Sequence, residues 1–265
     1  MVDLKKICDK AVAAALETEK FIIKESENFD ISRTEIKGLH DLVSYVDKSS
    51  EKILVEKLSM IMPEAGFITE EGTSSKRGSG YDWVIDPLDG TTNFVHGIHP
   101  YAISIGLICN GEPVAGVVCN AGCNEIFKAW KKGGAWLNDN PVKVSGASSL
   151  SQSLIATGLP YNNFSRLDNY MACLTHFCKT THGIRRFGSA SIDLAYIACG
   201  RFEAFFEYDL KIWDVAAGII ILREAGGRVS DFSGNEENLD GQEIVAANSL
   251  VFPEFLENVS KFMQD

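Results

Sequence analysis

No apolar run in the 265 residues reaches the length of a membrane span, and Met1 to Lys6 lack the apolar core of a signal peptide. A membrane partner and export are therefore not expected. Basic residues are in deficit: 25 Lys and Arg against 36 Asp and Glu leave a formal net charge of -11 and a pI near 5.0. That balance repels a nucleic-acid backbone and an anionic lipid surface, so neither is an expected partner. Cysteine is sparse and odd in number. Cys8, Cys109, Cys119, Cys123, Cys173, Cys178 and Cys199 lie mostly in apolar runs, unlike a small secreted disulfide framework. They read as reduced thiols, and the expected compartment is the cytoplasm. Cys119 and Cys123 are close in sequence, but no second Cys/His pair completes a zinc site. His40, His96, His99, His176 and His182 have no regular metal spacing, and no Ser-His-Asp or Cys-His arrangement stands out. A covalent nucleophile is not signalled.

What is present is an ordinary globular composition, 45% hydrophobic, 23% charged and 10% aromatic, so the whole length is expected to fold. The length suits one large domain or two intimately packed lobes. Apolar residues at helical spacing predict a helix over Leu4 to Ile23 and a second from about Asp47 to Met62, stopped by Pro63. Short strands are predicted at Phe67 to Thr69 and Trp83 to Asp86. A hairpin follows, Ala102 to Cys109 and Pro113 to Asn120, turning at Asn110-Gly111. Strands at Glu125 to Trp130, Ala135 to Leu137 and Val142 to Val144, with a turn at Asn138-Asp139-Asn140, complete an α+β half with an antiparallel sheet. After Ser145 the pattern alternates. Strands are expected near Leu154, Ile184, Ala204 and Ile244, with helices over 168–178, 189–199, 214–225 and 253–263. The expectation is one domain over 1–265, α+β to about residue 145 and α/β from about 146.

Chemistry concentrates in Trp83-Val84-Ile85-Asp86-Pro87-Leu88-Asp89-Gly90-Thr91-Thr92-Asn93-Phe94. An apolar strand ends in Asp86, Pro87 turns the chain, and Asp89 follows before a helix-starting Gly-Thr-Thr-Asn. Two carboxylates held that close repel one another unless a cation intervenes, and hard oxygen ligands suit Mg2+. The amides of Gly90, Thr91 and Thr92 would then face an anion. Taken alone, the pentapeptide is equally a plain turn with surface acids. Two further elements add weight: the acidic pair closing Phe67-Ile68-Thr69-Glu70-Glu71-Gly72, and Trp213-Asp214-Val215-Ala216-Ala217-Gly218 opening an apolar helix. Asp214 alone is an ordinary helix N-terminal acid.

Taken together, in this order and over nearly the whole chain, these elements resemble the pattern of the inositol monophosphatase family. The resemblance implies a layered αβαβα sandwich and Mg2+-dependent hydrolysis of a phosphate monoester of a small polyol or sugar, with two or three Mg2+ ions for which Mn2+ substitutes. It also implies a homodimer and lithium inhibition. Carried over position by position, Glu70, Asp86 and the Leu88 carbonyl would ligate one ion, and Asp86, Asp89 and Asp214 another. Glu71 reads as an accompanying charge. The stretch from Ile36 to Asp47 matches the family's Lys, Asp-Leu-Val and Asp signature, placing Lys37 near the metals and Asp47 on the Thr91 hydroxyl to deprotonate water, with Glu70 beside them. Gly90, Thr91 and Thr92 would bind phosphate; Gly188, Ser189, Ala190, Glu207 and Asp214 would line the substrate.

Some positions stay open. Glu207 is also a plausible strand-end acid, and Arg185, Arg186 and Arg201 suit an anion or surface acids equally well. Fructose bisphosphatase, histidinol phosphatase, nucleotide 3'-phosphatase and NADP phosphatase activities share the same core. A non-catalytic interaction module is the alternative of a different class, and it would be signalled by a lost acid.

Overall fold

The computed structural model describes residues 2–30, 32, 34–38, 41–237 and 239–263, with the backbone alone described at 34–38 and 41–43. Lys37 falls in that backbone-only stretch, and Leu39 and His40 lie outside the described residues.

Helix α1 (Leu4–Ser26) starts where the Asp3 carboxylate accepts the Lys6 amide at 3.1 Å. A two-stranded ribbon, β1 (Thr34–Gly38) and β2 (Asp41–Ser44), leads into α2 (Tyr45–Ile61). This helix begins two residues before the predicted Asp47. Ser44 is its cap and Asp47 sits in its first turn, closing a capping box that the Ser-x-x-Asp spacing encodes. Both long helices lie on one face of a sheet ordered β3 (Gly66–Thr69), β4 (Tyr81–Asp89), β5 (Ala102–Cys109), β6 (Glu112–Asn120), β7 (Glu125–Trp130), β8 (Ala135–Leu137) and β9 (Asn140–Val142). At the β5/β6 turn Asn110 and Gly111 have φ of 51° and 88°, the left-handed pair a primed hairpin turn requires.

Two expectations need correction here. The sheet is not wholly antiparallel, because β3 runs parallel to β4, which sets the two acid-bearing strand ends side by side. Strand β9 starts at Asn140, inside the predicted turn, because Asn138 alone takes up the left-handed bend, at φ 53°.

The second sheet has the order β11 (Gly183–Arg185), β10 (Leu154–Thr157), β12 (Ala204–Tyr208), β14 (Glu243–Asn248), β13 (Gly227–Ser230). β10 is parallel to both neighbours, and the β12/β14 and β13/β14 pairs are antiparallel. β13 was not foreseen, since its Gly227-Arg228 start breaks the apolar alternation. A five-residue helix, α3 (Thr91–Val95), follows β4, and a layer of α5 (Ala190–Ala198) and α6 (Ile212–Glu224) separates the two sheets. Helices α4 (Leu167–Thr180) and α7 (Phe252–Met263) cover the far side.

The layering is therefore αβαβα. It explains the sequence of α6, which is buried from Val215 to Leu222 with no polar face because a sheet lies on each side. Gly218 lets α6 touch α5: a Cβ there would stand 2.6 Å from Leu194 Cδ1. Among the described residues no helix is long and apolar enough to cross a membrane.

Candidate active site

The open cleft lies where the ends of β3 and β4 meet the N-termini of α3, α5 and α6 and the end of β12. Its acids are Glu70, Asp86, Asp89, Glu207, Asp209 and Asp214. Glu70 is delivered by the parallel pairing of β3 with β4, since its amide donates to the Ile85 carbonyl at 3.2 Å. The segment beyond it is pinned by Glu51, a fully buried acid of α2 whose two oxygens accept the Glu71 and Thr73 amides, each at 2.7 Å. Glu70 lines the cleft and Glu71 does not.

Asp86 is buried, and its Oδ1 accepts the Leu88 amide at 2.9 Å, a local turn that Pro87 makes possible by supplying no competing N–H. Asp89 lines the cleft and turns one oxygen toward the C-terminal half. Its Oδ2 accepts the Ser189 hydroxyl at 2.7 Å, the Ser191 amide at 2.8 Å and the Ser191 hydroxyl at 2.5 Å. Asp214 occupies the first turn of α6 and accepts the Lys211 amide at 2.7 Å.

Between these acids and the N-terminal helices runs a hydroxyl bridge. The Thr91 hydroxyl has Asp47 Oδ1 at 2.8 Å and the Leu88 carbonyl at 3.0 Å as acceptors. Asp47 Oδ2 in turn accepts the Ser44 amide at 2.8 Å and the Ser44 hydroxyl at 2.6 Å, so both oxygens of this buried carboxylate are oriented. Gly90 makes the tight entry to α3 with φ 94°, and a Cβ there would approach the Gly188 and Pro100 carbonyls at 3.1 Å. Asn93 secures the same approach by donating to the Pro100 and Phe187 carbonyls, both at 2.7 Å.

The electrostatics are those of anions without enough compensation. Burial, then the Asp214 charge, hold the Glu70 carboxyl well above the usual carboxylate range; burial, then Glu70, do the same to Asp86. Glu70 Oε2 is buried without a hydrogen-bond partner. Asp214 is pushed up to about 7 by burial and by Asp89. Burial also raises Asp89, against the lowering pull of its serine donors, and raises Asp47 against the donations of Ser44 and Thr91. Among the described residues no group of three acidic, histidine or cysteine side chains is drawn together tightly enough to hold an ion as it stands. The donor set is nonetheless all oxygen and anionic, and the orphaned Glu70 oxygen with its mutually repelled neighbours fits a hard divalent cation.

At the other end of the cleft, Glu207 is buried on β12 and raised well above the usual range by burial, then by Asp214, with Arg186 pulling it down. Gly188, Ser189 and Ala190 line the cleft, although the Ser189 hydroxyl is committed to Asp89. Of the three candidate arginines, Arg186 lines the cleft and donates to the Tyr161 hydroxyl at 3.0 Å. Arg201 instead pairs with Glu125 at 2.5 Å, and Arg185 donates to the Ile184 carbonyl. The sequence reasoning missed Ser44, Glu51 and Ser191. Ser44 was available from the capping-box spacing, whereas Glu51 and Ser191 are recognisable only once the strands are paired.

A family model described as "Inositol monophosphatase family" matches residues 3–264. The chain belongs to the inositol monophosphatase family. This is a family of phosphoric monoester hydrolases, and the chain is an enzyme of that class. It is 44% identical over 225 residues to an inositol-1-monophosphatase of Rhizobium meliloti, covering 84% of each protein. It is 43% identical over 251 residues to a putative Nus factor SuhB of Neisseria meningitidis serogroup B, covering 94% of this chain and 96% of that protein. The crystal structure of the extragenic suppressor protein suhB from Bartonella henselae superposes with a TM-score of 0.90 at 37% identity, covering 96% of this chain and 98% of that one.

Proposed function

We propose that this inositol monophosphatase family member hydrolyses the phosphate monoester of a small polyol or sugar, inositol 1-phosphate being the leading substrate, with Mg2+ bound by Glu70, Asp86, Asp89, Asp214 and the Leu88 carbonyl. The observation that carries the reading is the convergence of these acids on one cleft beside the Asp47–Thr91 hydrogen bond of 2.8 Å. Bound divalent ions supply Lewis-acid polarisation of the phosphoryl oxygens and of water.

The chain's own groups do the rest. With its proton directed to Asp47, the Thr91 hydroxyl offers a lone pair to a water. As that water attacks phosphorus, its proton passes to Thr91 while the Thr91 proton passes to Asp47, the bond from phosphorus to the polyol oxygen breaks, and the departing alkoxide takes its proton from a second water. A carboxylate raised by burial is a stronger base than a solvated one, which suits Asp47 to the task. The amides of Gly90, Thr91 and Thr92 hold phosphate oxygens. Glu207 accepts hydroxyl hydrogen bonds from the polyol, and Gly188, Ser189 and Ala190 form the wall between the two ends. Lys37 and Glu71 are supporting charges in the same reading, and the active form is a homodimer in the cytoplasm.

The non-catalytic alternative loses its footing because Asp47, Glu70, Asp86, Asp89, Thr91 and Asp214 are all present. The test is phosphate release from a panel of monoesters, including inositol 1-phosphate, fructose 1,6-bisphosphate, histidinol phosphate and nucleotide 3'-phosphates, with Mg2+, with EDTA, and with lithium. Inositol and sugar phosphates should lead the panel, EDTA should abolish turnover, and added Mg2+ or Mn2+ should restore it. Undiminished turnover by verified metal-free protein refutes the reading.

A further inference from the structure

The N-terminus of α5 is capped in an unusual way. Ser189 is its cap residue by position, and serine at that position normally turns its hydroxyl back onto the second or third amide of the helix. Here Ser189 makes no such bond. Its hydroxyl donates to Asp89 at 2.7 Å, and the amide it leaves unmet, that of Ser191, donates to the same oxygen, Asp89 Oδ2, at 2.8 Å. A carboxylate from β4, about a hundred residues earlier in the chain, therefore does the capping for α5. The Ser191 hydroxyl then adds a third donor to that oxygen at 2.5 Å.

Three donors saturate one carboxylate oxygen, because each carboxylate oxygen has two lone pairs and the third bond must share them. Asp89 Oδ2 is thereby fixed against α5, and rotation about the last side-chain bond is blocked. The Ser189 and Ser191 donors all fall on Oδ2 and the Ala190 amide also lies against the carboxyl, which leaves Oδ1 the less committed oxygen of a residue that lines the cleft. Asp89 is buried, so an alternative orientation in water is closed to it as well. A cap alone needs only the amide. The Ser191 side chain is superfluous for that purpose, and a satisfied buried hydroxyl of this kind rigidifies the group it donates to.

We propose that Ser191 is a positioning residue: its hydroxyl locks the Asp89 carboxylate against α5, and it thereby sets the affinity with which the acidic cluster of Asp89 and its neighbours would hold a divalent cation. The inference rests on the metal-binding reading given above. It concerns a residue outside the acidic motifs, and it ties the ion site of β4 to the helix layer between the sheets. Hydrogen-bond partners of metal-ligating carboxylates typically change metal affinity by about 10–100-fold when removed. Ser191→Ala keeps the amide and Ser189, so the lower end, roughly tenfold, is expected.

The experiment titrates Mg2+ by calorimetry, and Mn2+ by electron paramagnetic resonance, into wild type, Ser191→Ala and Ser191→Thr. The hydroxyl-retaining Thr variant is the rescue, and circular dichroism melts of the metal-free proteins check folding. The expected result is a roughly tenfold weaker affinity at one class of ion site in Ser191→Ala, with Ser191→Thr close to wild type and all three folded. Affinity unchanged in a folded Ser191→Ala overturns the inference. Equal weakening in Ser191→Ala and Ser191→Thr also overturns it, since the loss then follows packing and not the hydroxyl. A wild-type protein that takes up neither ion overturns the metal reading itself, and the wild-type titration alone separates that failure from the others.

Discussion

Replacing Gly158 by alanine should impair recognition of hydroxylated substrates while sparing the chemistry at phosphorus. Gly158 closes β10 at the cleft wall, and a Cβ built on it would lie 1.9 Å from Glu207 Oε1, 2.0 Å from Cδ and 2.1 Å from Oε2. Contacts under 3.0 Å do not occur for real Cβ atoms, so one partner must move by about 1 Å. The backbone is the less yielding of the two. The Gly158 carbonyl accepts from the Tyr170 hydroxyl at 3.0 Å, and Tyr170 is itself completely buried. The Glu207 main chain is held opposite Ile244 in the β12/β14 pair. The carboxylate therefore moves, and it moves off the position from which it would accept a substrate hydroxyl.

A charge-assisted hydrogen bond contributes roughly 1.5–3 kcal/mol, which corresponds to a loss of about tenfold to a hundredfold in kcat/KM for inositol 1-phosphate. p-Nitrophenyl phosphate, which has no polyol hydroxyl, should be cleaved nearly as before. Glu207→Gln should give the same contrast between substrates by weakening the acceptor without moving it. Gly158 has no positive φ, so alanine introduces no backbone strain, and its smaller unfolded-state entropy should stabilise by about 0.4–1 kcal/mol against the steric loss. Equal losses on both esters would place Glu207 in the catalytic machinery. No loss on either would refute the steric argument and return Glu207 to an ordinary strand-end acid.

Thr91→Val should leave Mg2+ affinity near wild type and lower kcat by on the order of 100-fold or more, because it removes the hydroxyl proposed to lie between water and Asp47 while leaving the acids proposed to ligate Mg2+ intact; a wild-type kcat would refute the relay. Asp89→Asn and Asp214→Asn should behave in the opposite sense, with calorimetry showing weakened Mg2+ binding and turnover falling in step. For pH, the relevant group is Asp214, whose carboxyl is raised from the ordinary 3.8 to about 7. The stabilisation from its proton is complete below the unfolded value and is lost as pH rises through about 7, so the metal-free protein should lose stability across that window. Mg2+ competes with the same proton, so its apparent affinity should climb over that range and level off above it, with proton release on binding in calorimetry; a flat affinity across the window would contradict this.

The three acidic elements were legible because each couples a chemical signal to a local structural one: Asp86 and Asp89 flank the proline turn, Glu70 closes an apolar strand, and Asp214 opens a helix. The αβαβα layering came from the family resemblance to those elements, whereas periodicity reached only the two halves. Periodicity was weakest where burial is two-sided. Helix α6 is apolar on all faces, so its pattern could announce a helix without saying that sheets lie on both sides of it. The β3/β4 pairing was hidden for another reason. Parallel strands need a crossover, and the segment from Gly72 to Gly80 reads only as a flexible loop, yet the Lys76 carbonyl accepts the Phe67 amide at 2.8 Å and returns the chain to the edge of β3. Ser191 and Glu51 were invisible because a serine near a helix start and a glutamate within a helix carry no local signal of an acceptor or amide far away in the chain.

The acidity of the chain and the anionic nature of its substrate class are reconciled by where the acids sit. An exposed excess of carboxylates would repel a phosphate ester, but Asp86 and Asp89 are buried, and burial disfavours their charged forms. In the proposed reading, proton and cation would be alternative occupants of one anionic cluster, in which burial and mutual repulsion hold Glu70, Asp86 and Asp214 above the usual carboxylate range. The groups that orient the cluster come from separate layers: the Ser44 donors and the Glu51 acceptor from the outer helices, the Ser189 and Ser191 donors from the helix layer between the sheets. Asp89 links the last two directly across the boundary between the halves. The site therefore exists only when both sheets are folded against α5 and α6, and a change that loosens that seam should weaken ion binding before it unfolds either sheet.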